Sequence, residues 1–364
     1  MRSFGHLGVL ISLLAVLPSC GGSGSNSTPN PPSGTSQLLY TGLPSLNAVA
    51  GFRINSSGTF TNIVGSPFPG GLSPGAMLVH PSNQFLYVVN RTEFTVSLFK
   101  IDQNVGSLTE IKPRVATGPG PTAIAMTTAG DKLFVLNQAG GSISVFSIDS
   151  GSGKLTQISG SPFTTAPDPV ALAVTPSGKF LYVVNSNLAL VFVYSISGNG
   201  TLQLVGSPVP TGTGPFAIAV DPNEKFVYVA NSQADTLSIF SLDSATGALT
   251  EVFGSPFLTG TSPISIAVST DGQYIYIADQ GTNDITGYSI DASTGLPTSI
   301  TGSPFGFSSP SLLVTAPGGK FIFGVALRSV FVNEFSIDSS TGTLTDGPSS
   351  NTLNTVPVGI AISR

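Results

Sequence analysis

The chain has 364 residues, with 13 Lys and Arg against 18 Asp and Glu, so charged residues make up only 9% of it. A net charge of −5 without any cluster of basic residues excludes a basic nucleic-acid-binding surface. Disorder is excluded because 40% of the residues are hydrophobic and the net charge is low. The 43 glycines and 28 prolines follow no Gly-X-Y period, so they predict many short strands joined by tight turns.

Cysteine and histidine are too scarce for several kinds of site. Cys20 is the only cysteine, which excludes an intrachain disulfide and a cysteine-based metal site. The two histidines are His6 and His80, and His6 falls in an N-terminal targeting segment. A Ser-His-Asp triad would therefore depend on His80. We expect neither a metal ion nor another cofactor.

The N-terminus resembles a bacterial lipoprotein signal. Arg2 precedes an apolar run from Leu7 to Leu17, which is too short to span a bilayer. The run ends in Leu17-Pro18-Ser19-Cys20, and in the lipoprotein signal the chain is cut before such a cysteine, which is then lipidated. The alternative is an ordinary secretory signal in which the cysteine occurs by chance.

This resemblance sets the predicted domain boundaries. We expect a signal peptide over residues 1–19, a lipidated Cys20 with a linker over residues 20–37, and a folded domain over residues 38–364. Residues 21–37 carry no charge and are rich in Gly, Ser and Pro, which is typical of a flexible tether. Lipidation would anchor the protein to a membrane of the cell envelope, on the extracytoplasmic side.

One segment of the folded domain recurs seven times. Each copy begins at a proline and continues with small and aliphatic residues, as in Pro121-Thr-Ala-Ile-Ala-Met126. The seven prolines, 46 to 48 residues apart, are Pro74, Pro121, Pro169, Pro215, Pro263, Pro310 and Pro357. A repeat of this length is typical of the blades of a β-propeller.

Three further segments complete each repeat. An aromatic residue such as Tyr87, in Phe85-Leu-Tyr-Val-Val-Asn90, precedes an aliphatic residue such as Ile101 by 14 positions in all seven copies. A Gly-x-Leu-Thr segment typically follows, and Gly-Ser-Pro-Phe closes four of the repeats. Each repeat therefore has four predicted strands, which we call A, B, C and D in chain order.

The pattern predicts an all-β fold, a seven-bladed β-propeller of four-stranded antiparallel blades. The chain enters at strand B and finishes on strand A, so the strand predicted at 357–363 finds its partners only at residues 38–64. We therefore expect the C-terminal strand to pair with the N-terminal blade and close the ring. Closure hides the sheet edges, whereas a linear solenoid would need polar caps that are not visible here.

The strand B motifs Tyr87-Val-Val-Asn90, Tyr182-Val-Val-Asn185 and Tyr228-Val-Ala-Asn231 resemble those of the lactonase-type seven-bladed propellers. That family includes 6-phosphogluconolactonase-like, muconate-cycloisomerase-like and Tyr-Val-Thr-Asn repeat proteins, and the resemblance covers residues 38–364. It implies the propeller fold, with enzyme activity in some members and uncharacterised surface proteins among many others. WD-type repeats do not fit because the chain contains no Trp.

Two features count against a sugar-phosphate lactone as the substrate. The protein carries an export signal, whereas phosphorylated sugar lactones are cytoplasmic metabolites. A phosphate site also needs several convergent cations, but most of the few lysines fall in predicted turns. A site combining histidine, arginine and a carboxylate, as in the cycloisomerase branch, has only His80 to use.

Charges outside the predicted turns fall mostly on one face. In a propeller the A–B and C–D turns share one face, and the B–C loops and D–A crossovers share the other, where ligand sites usually lie. The charged residues of this second face are Arg91, Glu93, Arg114, Asp168, Asp235, Asp279, Asp284 and Arg328. As candidate catalytic residues, Arg91 or Arg328 would polarise a carbonyl and Glu93 or Asp279 would direct a water. The alternative is that exposed loops simply tolerate charge.

Polar residues recur where strand B ends. Asn90, Asn137, Asn185 and Asn231 occupy one position, and Asp279 occupies it in the next copy. Such residues could line the channel mouth, but we favour a structural role in which each caps its own loop. The candidate binding residues on this face are Asn90, Asp168, Asp235 and Asp284.

Two other features favour structural interpretations. His80 ends a strand A and precedes Pro81-Ser82-Asn83-Gln84, so we expect it in an A–B turn, on the face opposite the candidate site. The segment Asp279-Gln-Gly-Thr-Asn-Asp284 is rich in oxygen ligands but lacks the spacing of a calcium loop. We therefore expect no metal there.

Two functions remain open. The first, which the regular repeats favour, is a binding module that takes a small molecule, a glycan or a protein partner on the B–C and D–A face. The second, which the family resemblance favours, is an extracytoplasmic hydrolase of a non-phosphorylated lactone. In either case we expect a monomer that binds no nucleic acid.

Overall fold

The structure, a computed structural model, describes residues 36–364. These residues form seven antiparallel sheets, and each sheet follows the order A-B-C-D from one edge to the other. The predicted seven-bladed propeller is therefore confirmed. The signal peptide and Cys20 lie outside the described residues. Within residues 36–364 the helical structure is a single 3-10 turn, Pro44–Leu46, and no helix there is long and apolar enough to cross a membrane.

The strands are numbered in chain order and grouped here by blade. Blade 1 begins with β1 (Gln37–Leu43), β2 (Ala48–Ile54), β3 (Phe60–Asn62) and β4 (Phe68–Pro69). Blade 2 comprises β5 (Pro74–Val79), β6 (Phe85–Asn90), β7 (Thr95–Ile101) and β8 (Leu108–Ala116). Blade 3 comprises β9 (Pro121–Met126), β10 (Lys132–Asn137), β11 (Ser142–Ile148), β12 (Leu155–Gln157) and β13 (Phe163–Thr164). Blade 4 comprises β14 (Pro169–Val174), β15 (Phe180–Asn185), β16 (Leu190–Ile196), β17 (Leu202–Leu204) and β18 (Val209–Pro210).

The remaining blades repeat this plan. Blade 5 comprises β19 (Pro215–Val220), β20 (Phe226–Asn231), β21 (Thr236–Leu242), β22 (Leu249–Glu251) and β23 (Phe257–Leu258). Blade 6 comprises β24 (Pro263–Val268), β25 (Tyr274–Asp279), β26 (Asp284–Ile290), β27 (Pro297–Ser299) and β28 (Phe305–Gly306). Blade 7 comprises β29 (Pro310–Thr315), β30 (Phe321–Ala326), β31 (Val332–Ile337) and β32 (Leu344–Ser349), and β33 (Val358–Ile362) returns to blade 1.

The two ends of the described chain close blade 1 together, as predicted. β33 pairs antiparallel with β1, with Leu39 opposite Ile362 and Thr41 opposite Ile360. The Thr41 hydroxyl donates to the Gly359 carbonyl oxygen over 2.7 Å, which ties the two strands further. Because β33 belongs to no other sheet, the ring is closed by this pairing.

Large aromatic residues of strand B fill the space between neighbouring sheets. Tyr40, Tyr87, Tyr182 and Tyr276 are fully buried. Their hydroxyls donate over 2.7–2.9 Å to the carbonyl oxygen of a glycine in the C–D turn of the next blade, namely Gly106, Gly153, Gly247 and Gly342. A buried phenol needs such a partner, so these bonds set the distance between blades as well as filling the core.

The C–D turns explain many of the charges. In Asp243, Asp291 and Asp338 the Oδ1 atom accepts backbone N–H groups two and three residues further on. These hydrogen bonds favour the ionised form, so the pKa of each carboxyl lies below its usual range. The glycine that ends each turn has positive φ, as at Gly247. The predicted structural role of these residues is confirmed.

The A strands form the innermost ring, because each one contacts the A strands of both neighbouring blades. Every A strand also carries a β-bulge near its start, which the sequence did not reveal. The residues that the bulges leave unpaired with strand B are Gly75 and Ala76, Thr122, Val170, Phe216, Ile264, Ser311 and Gly359. A β-bulge changes the direction in which a side chain points. Because the A strands are innermost, this ring of positions shapes the central channel.

Candidate functional site

The residue that follows strand B lies at the mouth of the channel. Its backbone N–H donates to the residue that precedes strand A of the same blade, at the inner edge of the face formed by B–C loops and D–A crossovers, here called the loop face. We define the mouth rim as the five residues that make this hydrogen bond, which is 2.8–3.1 Å long: Arg91, Gln138, Ser232, Gln280 and Leu327. The opposite face, with the A–B and C–D turns, is called the turn face.

Arg91 is the charged member of the mouth rim. It is half-buried, and burial lowers the pKa of its guanidinium. Within residues 36–364 this guanidinium forms no hydrogen bond and no ion pair, although its backbone N–H is bonded to the Ser73 carbonyl oxygen over 3.1 Å. A partly desolvated cation without an anion is costly, and this is the environment that an anionic or carbonyl-bearing ligand relieves.

Next to Arg91, on blades 3 and 4, lies a hydrogen-bonded polar group. Gln138 Nε2 donates to Asp168 Oδ1 over 2.9 Å, and Asn187 Nδ2 donates to Asp168 Oδ2 over 2.8 Å. Asp168 is half-buried and precedes strand A of blade 4 with a φ of 62°. Arg91, Gln138 and Asp168 thus follow one another on three consecutive blades of the loop face, and they carry a cation, an amide and a carboxylate.

The four candidate catalytic residues of the sequence analysis are not joined. Among the described residues, no hydrogen bond or ion pair connects any two of Arg91, Glu93, Asp279 and Arg328. Glu93 is bound by Arg114, whose Nη1 lies 2.9 Å from both carboxylate oxygens and whose Nε lies 2.7 Å from Glu110 Oε1. Arg328 is exposed in the B–C loop of blade 7.

Asp279 is completely buried at the end of strand B in blade 6. Thr286 Oγ1 donates to its Oδ2 atom, while its Oδ1 atom has no hydrogen-bond partner among the described residues. Burial raises the pKa of this carboxyl to about 6. Because it is completely buried, this carboxyl does not reach the surface of the loop face.

The asparagines at the same position are buried in the same way. Asn90 Nδ2 donates to Thr95 Oγ1 and Ser97 Oγ over 3.0 and 2.9 Å. Asn137 and Asn231 make the equivalent bonds to two hydroxyls of strand C, and Asn185 instead accepts from the Leu188 N–H. A Cβ on Gly71 of the crossover would lie 2.1 Å from Asn90 Cγ, so the crossover covers this side chain.

The other two candidate binding residues hold loops. Asp235 Oδ1 accepts from the Ser262 N–H over 2.8 Å and so joins blade 5 to the start of strand A in blade 6. Asp284 accepts from Thr282 Oγ1 over 2.9 Å within its own loop. Within residues 36–364 there is no group of three His, Cys, Asp or Glu that could hold a metal ion.

His80 lies in the A–B turn of blade 2, on the turn face, where the sequence analysis expected it. Its Nδ1 accepts the Ser82 N–H over 3.1 Å, so the ring proton is on Nε2, which donates to the Gly130 carbonyl oxygen over 2.9 Å. Burial lowers its pKa and favours this neutral form. The bond to Gly130 links blades 2 and 3.

The sequence analysis missed Gln138 and the other uncharged residues of the mouth rim. Candidate residues on this face were predicted mainly from their charge, and these residues carry none. A signal was nevertheless present, because Gln138, Ser232 and Gln280 directly follow the Asn or Asp that ends strand B, although Leu327 follows Ala326. The sequence did not show that the residue after strand B lies at the inner edge of the loop face.

The fold is that of a lactonase-type propeller. The sequence model of the family described as "Lactonase, 7-bladed beta-propeller" matches residues 45–172, 160–261 and 253–358. The chain belongs to this family. Over a shorter stretch of 73 residues it is 36% identical to the 6-phosphogluconolactonase of Enterobacter sp. (strain 638). That stretch covers 20% of this chain and 22% of the length of that protein.

Solved structures show the same fold. A putative 6-phosphogluconolactonase from Bacteroides uniformis has a TM-score of 0.78 and 20% identity, covering 90% of this chain and 99% of its own. The periplasmic gluconolactonase of Pseudomonas aeruginosa has a TM-score of 0.73 and 18% identity, covering 91% of this chain and 99% of its own. At this level of identity the likeness extends to the fold alone.

Proposed function

We propose that the propeller binds a small organic anion or a lactone at the mouth rim, through Arg91, Gln138 and Asp168. The observation that carries this proposal is the half-buried Arg91 guanidinium, which lacks an anion among the described residues. A carboxylate or a lactone carbonyl would supply the missing acceptor, and charge-assisted hydrogen bonds are about twice as strong as neutral ones. With one cation in the rim, a non-phosphorylated ligand fits better than a phosphate.

A second function, hydrolysis of a non-phosphorylated lactone, is favoured by Asp168. In this reaction Asp168 would take a proton from a water molecule as that water attacks the lactone carbonyl, and Arg91 would stabilise the negative charge that develops on the carbonyl oxygen. The ring C–O bond would then break, and the alkoxide would take up a proton. The neighbour named as a periplasmic gluconolactonase supports a test with sugar lactones.

The test measures binding and turnover by residues 36–364. We expect gluconate to bind in isothermal titration, and Arg91→Ala to weaken this binding about tenfold or more, because a charged hydrogen bond is lost. The control is Arg328→Ala, which removes an exposed arginine outside the mouth rim. Binding that Arg91→Ala leaves unchanged would contradict the proposed site. Acid release from glucono-δ-lactone that is faster than its spontaneous hydrolysis in buffer, and that falls to the buffer rate in Asp168→Asn, would establish the hydrolase.

We also propose that Cys20 is lipidated and that the protein is a monomeric lipoprotein of the cell envelope. The first described residues support an orientation of the propeller relative to the membrane. Ser36 precedes the turn-face end of β1, and its Oγ accepts from Arg53 Nη1 over 2.8 Å. A tether that joins the propeller there would turn the loop face, with the mouth rim, away from the membrane.

Cys20→Ala should release the protein from the membrane fraction. In the expressing bacterium we expect the wild-type chain in the membrane pellet, with incorporation of labelled palmitate, because several acyl chains make anchoring stable. The variant should lose the label and leave the pellet. Ser23→Ala, in the linker, keeps the cysteine and the residues before the cut and serves as the control. A labelled Cys20→Ala protein would show that the anchor is elsewhere.

A further inference from the structure

The ring of bulged residues is not symmetric. On blades 4, 5 and 6 it carries bulky apolar side chains, Val170, Phe216 and Ile264. On blades 7, 1, 2 and 3 the corresponding residues are small: Ser311, Gly359, Gly75 with Ala76, and Thr122. The ring therefore carries large apolar side chains on one side and small residues on the other.

Phe216 is the largest side chain of this ring. It is the second residue of its A strand, so it lies one step below the mouth rim. It is half-buried, and it packs both against the core between blades 4, 5 and 6 and against the core between blades 6 and 7. Phe216 is thus only partly covered, and some of its apolar surface stays exposed near the channel mouth. Large apolar side chains of a core are more often fully buried.

The small residues of the ring lie below Arg91 and Gln138, which follow strand B on blades 2 and 3. Thr122 Oγ1 is buried on this side and has no hydrogen-bond partner among the described residues. In a ring of seven, blades 5 and 6 stand opposite blade 2. A ligand bound to Arg91 would thus have polar groups on one side and Phe216 on the other.

We propose that the mouth prefers a hydroxy acid or lactone with an alkyl or aryl group to a fully hydroxylated sugar acid or lactone, and that Phe216 sets this preference. The inference rests on the proposed function at Arg91. Each methylene group that leaves water for the surface of Phe216 and Val170, which are both partly exposed, raises affinity about fourfold. Sugar hydroxyls on that side would lose water without gaining a partner.

The experiment compares gluconate with 5-hydroxydecanoate by isothermal titration against residues 36–364. We expect the wild-type protein to bind 5-hydroxydecanoate at least about tenfold more tightly. Phe216→Ala should reduce this ratio to near one. Phe216→Val copies the Val170 of the neighbouring blade, so it keeps a side chain that this position accommodates, and it should give an intermediate ratio. Phe253→Ala, which removes a 93% exposed phenylalanine elsewhere, should keep the wild-type ratio.

The outcomes separate this inference from the proposed function. Equal binding of the two ligands, or tighter binding of gluconate, would overturn the apolar preference and leave the site at Arg91 standing. A wild-type ratio in folded Phe216→Val would overturn the role of Phe216. No binding of either ligand would overturn both proposals. Arg91→Ala should weaken the binding of both ligands by a similar factor, because each of them presents a carboxylate.

Discussion

Gly359→Ala should destabilise the propeller by about 3 kcal/mol or more. Gly359 lies in the closing strand β33 with a φ of 66°, a conformation that costs a residue with a Cβ about 1 kcal/mol or more. A Cβ there would also lie 2.3 Å from the Gly75 carbonyl oxygen and 3.1 Å from its carbon. Both atoms belong to the backbone of blade 2, so the clash forces the closing strand away from its neighbour.

Substitutions at two other glycines separate the effect of backbone strain from the effect of the steric clash. Gly206 has a φ of 62° and no atom within 4 Å of a Cβ, so Gly206→Ala should show the backbone strain alone, about 1 kcal/mol. Gly198 has neither a positive φ nor a neighbour within 4 Å, so Gly198→Ala should change stability by less than about 1 kcal/mol. Urea unfolding of the three variants gives the comparison. A Gly359→Ala protein as stable as Gly206→Ala would contradict the close approach of blades 1 and 2.

Glu334→Gln should stabilise the protein at pH 8 and have little effect at pH 4. Glu334 is 2% exposed in strand C of blade 7, at a position where blades 2 to 5 have Leu98, Val145, Val193 and Ile239. Its Oε1 atom has no hydrogen-bond partner among the described residues. Burial raises the pKa of its carboxyl from 4.5 to about 7.

The direction of the effect follows from this raised pKa. Between about pH 4.5 and pH 7 the folded protein keeps a proton on Glu334 that the unfolded chain has lost, so the free energy of unfolding falls as the pH rises. Above pH 7 the full penalty of the buried carboxylate, roughly 2–3 kcal/mol, is present. Glutamine carries no charge, so the variant escapes the penalty.

Urea unfolding of wild type and variant at pH 4, 6 and 8 measures the difference. The gain in stability of Glu334→Gln should grow with pH over this range. Glu251→Gln, at an exposed glutamate of blade 5, is the control and should give a small, pH-independent difference. If the gain in stability of Glu334→Gln were equal at pH 4 and pH 8, the pKa of the Glu334 carboxyl would not be raised.

The repeats predicted more of the fold than of the site. Strands A to D, the seven blades and the closing pair of β33 with β1 follow from spacing that is local within each repeat. Two features escaped prediction: β8 runs over Leu108–Ala116, and a short fifth strand pairs with strand C in blades 1, 3, 4, 5 and 6. The long β8 contains a residue that breaks the repeat, Arg114, whose bonds to Glu93 and Glu110 join segments of one blade.

The candidate residues illustrate what sequence position alone could not decide. Arg91 and Glu93 are two residues apart on one loop, yet Glu93 is paired with Arg114 whereas Arg91 has no anionic partner among residues 36–364. Asn90 directly precedes Arg91, yet the crossover with Gly71 covers it. In each case the deciding group comes from a crossover or another strand, which the order of residues in the loop does not reveal.

The sequence by itself determined the class of fold, the number of blades, the way the ring closes and the structural role of the C–D turn aspartates. It could do so because strand periodicity and turn chemistry depend on residues that are near one another in the chain. Only the tertiary structure decided which polar groups are buried, which are paired and which meet at the mouth rim. Burial and pairing depend on neighbouring strands and blades, and the bulges that shape the channel arise where strand A meets strand B.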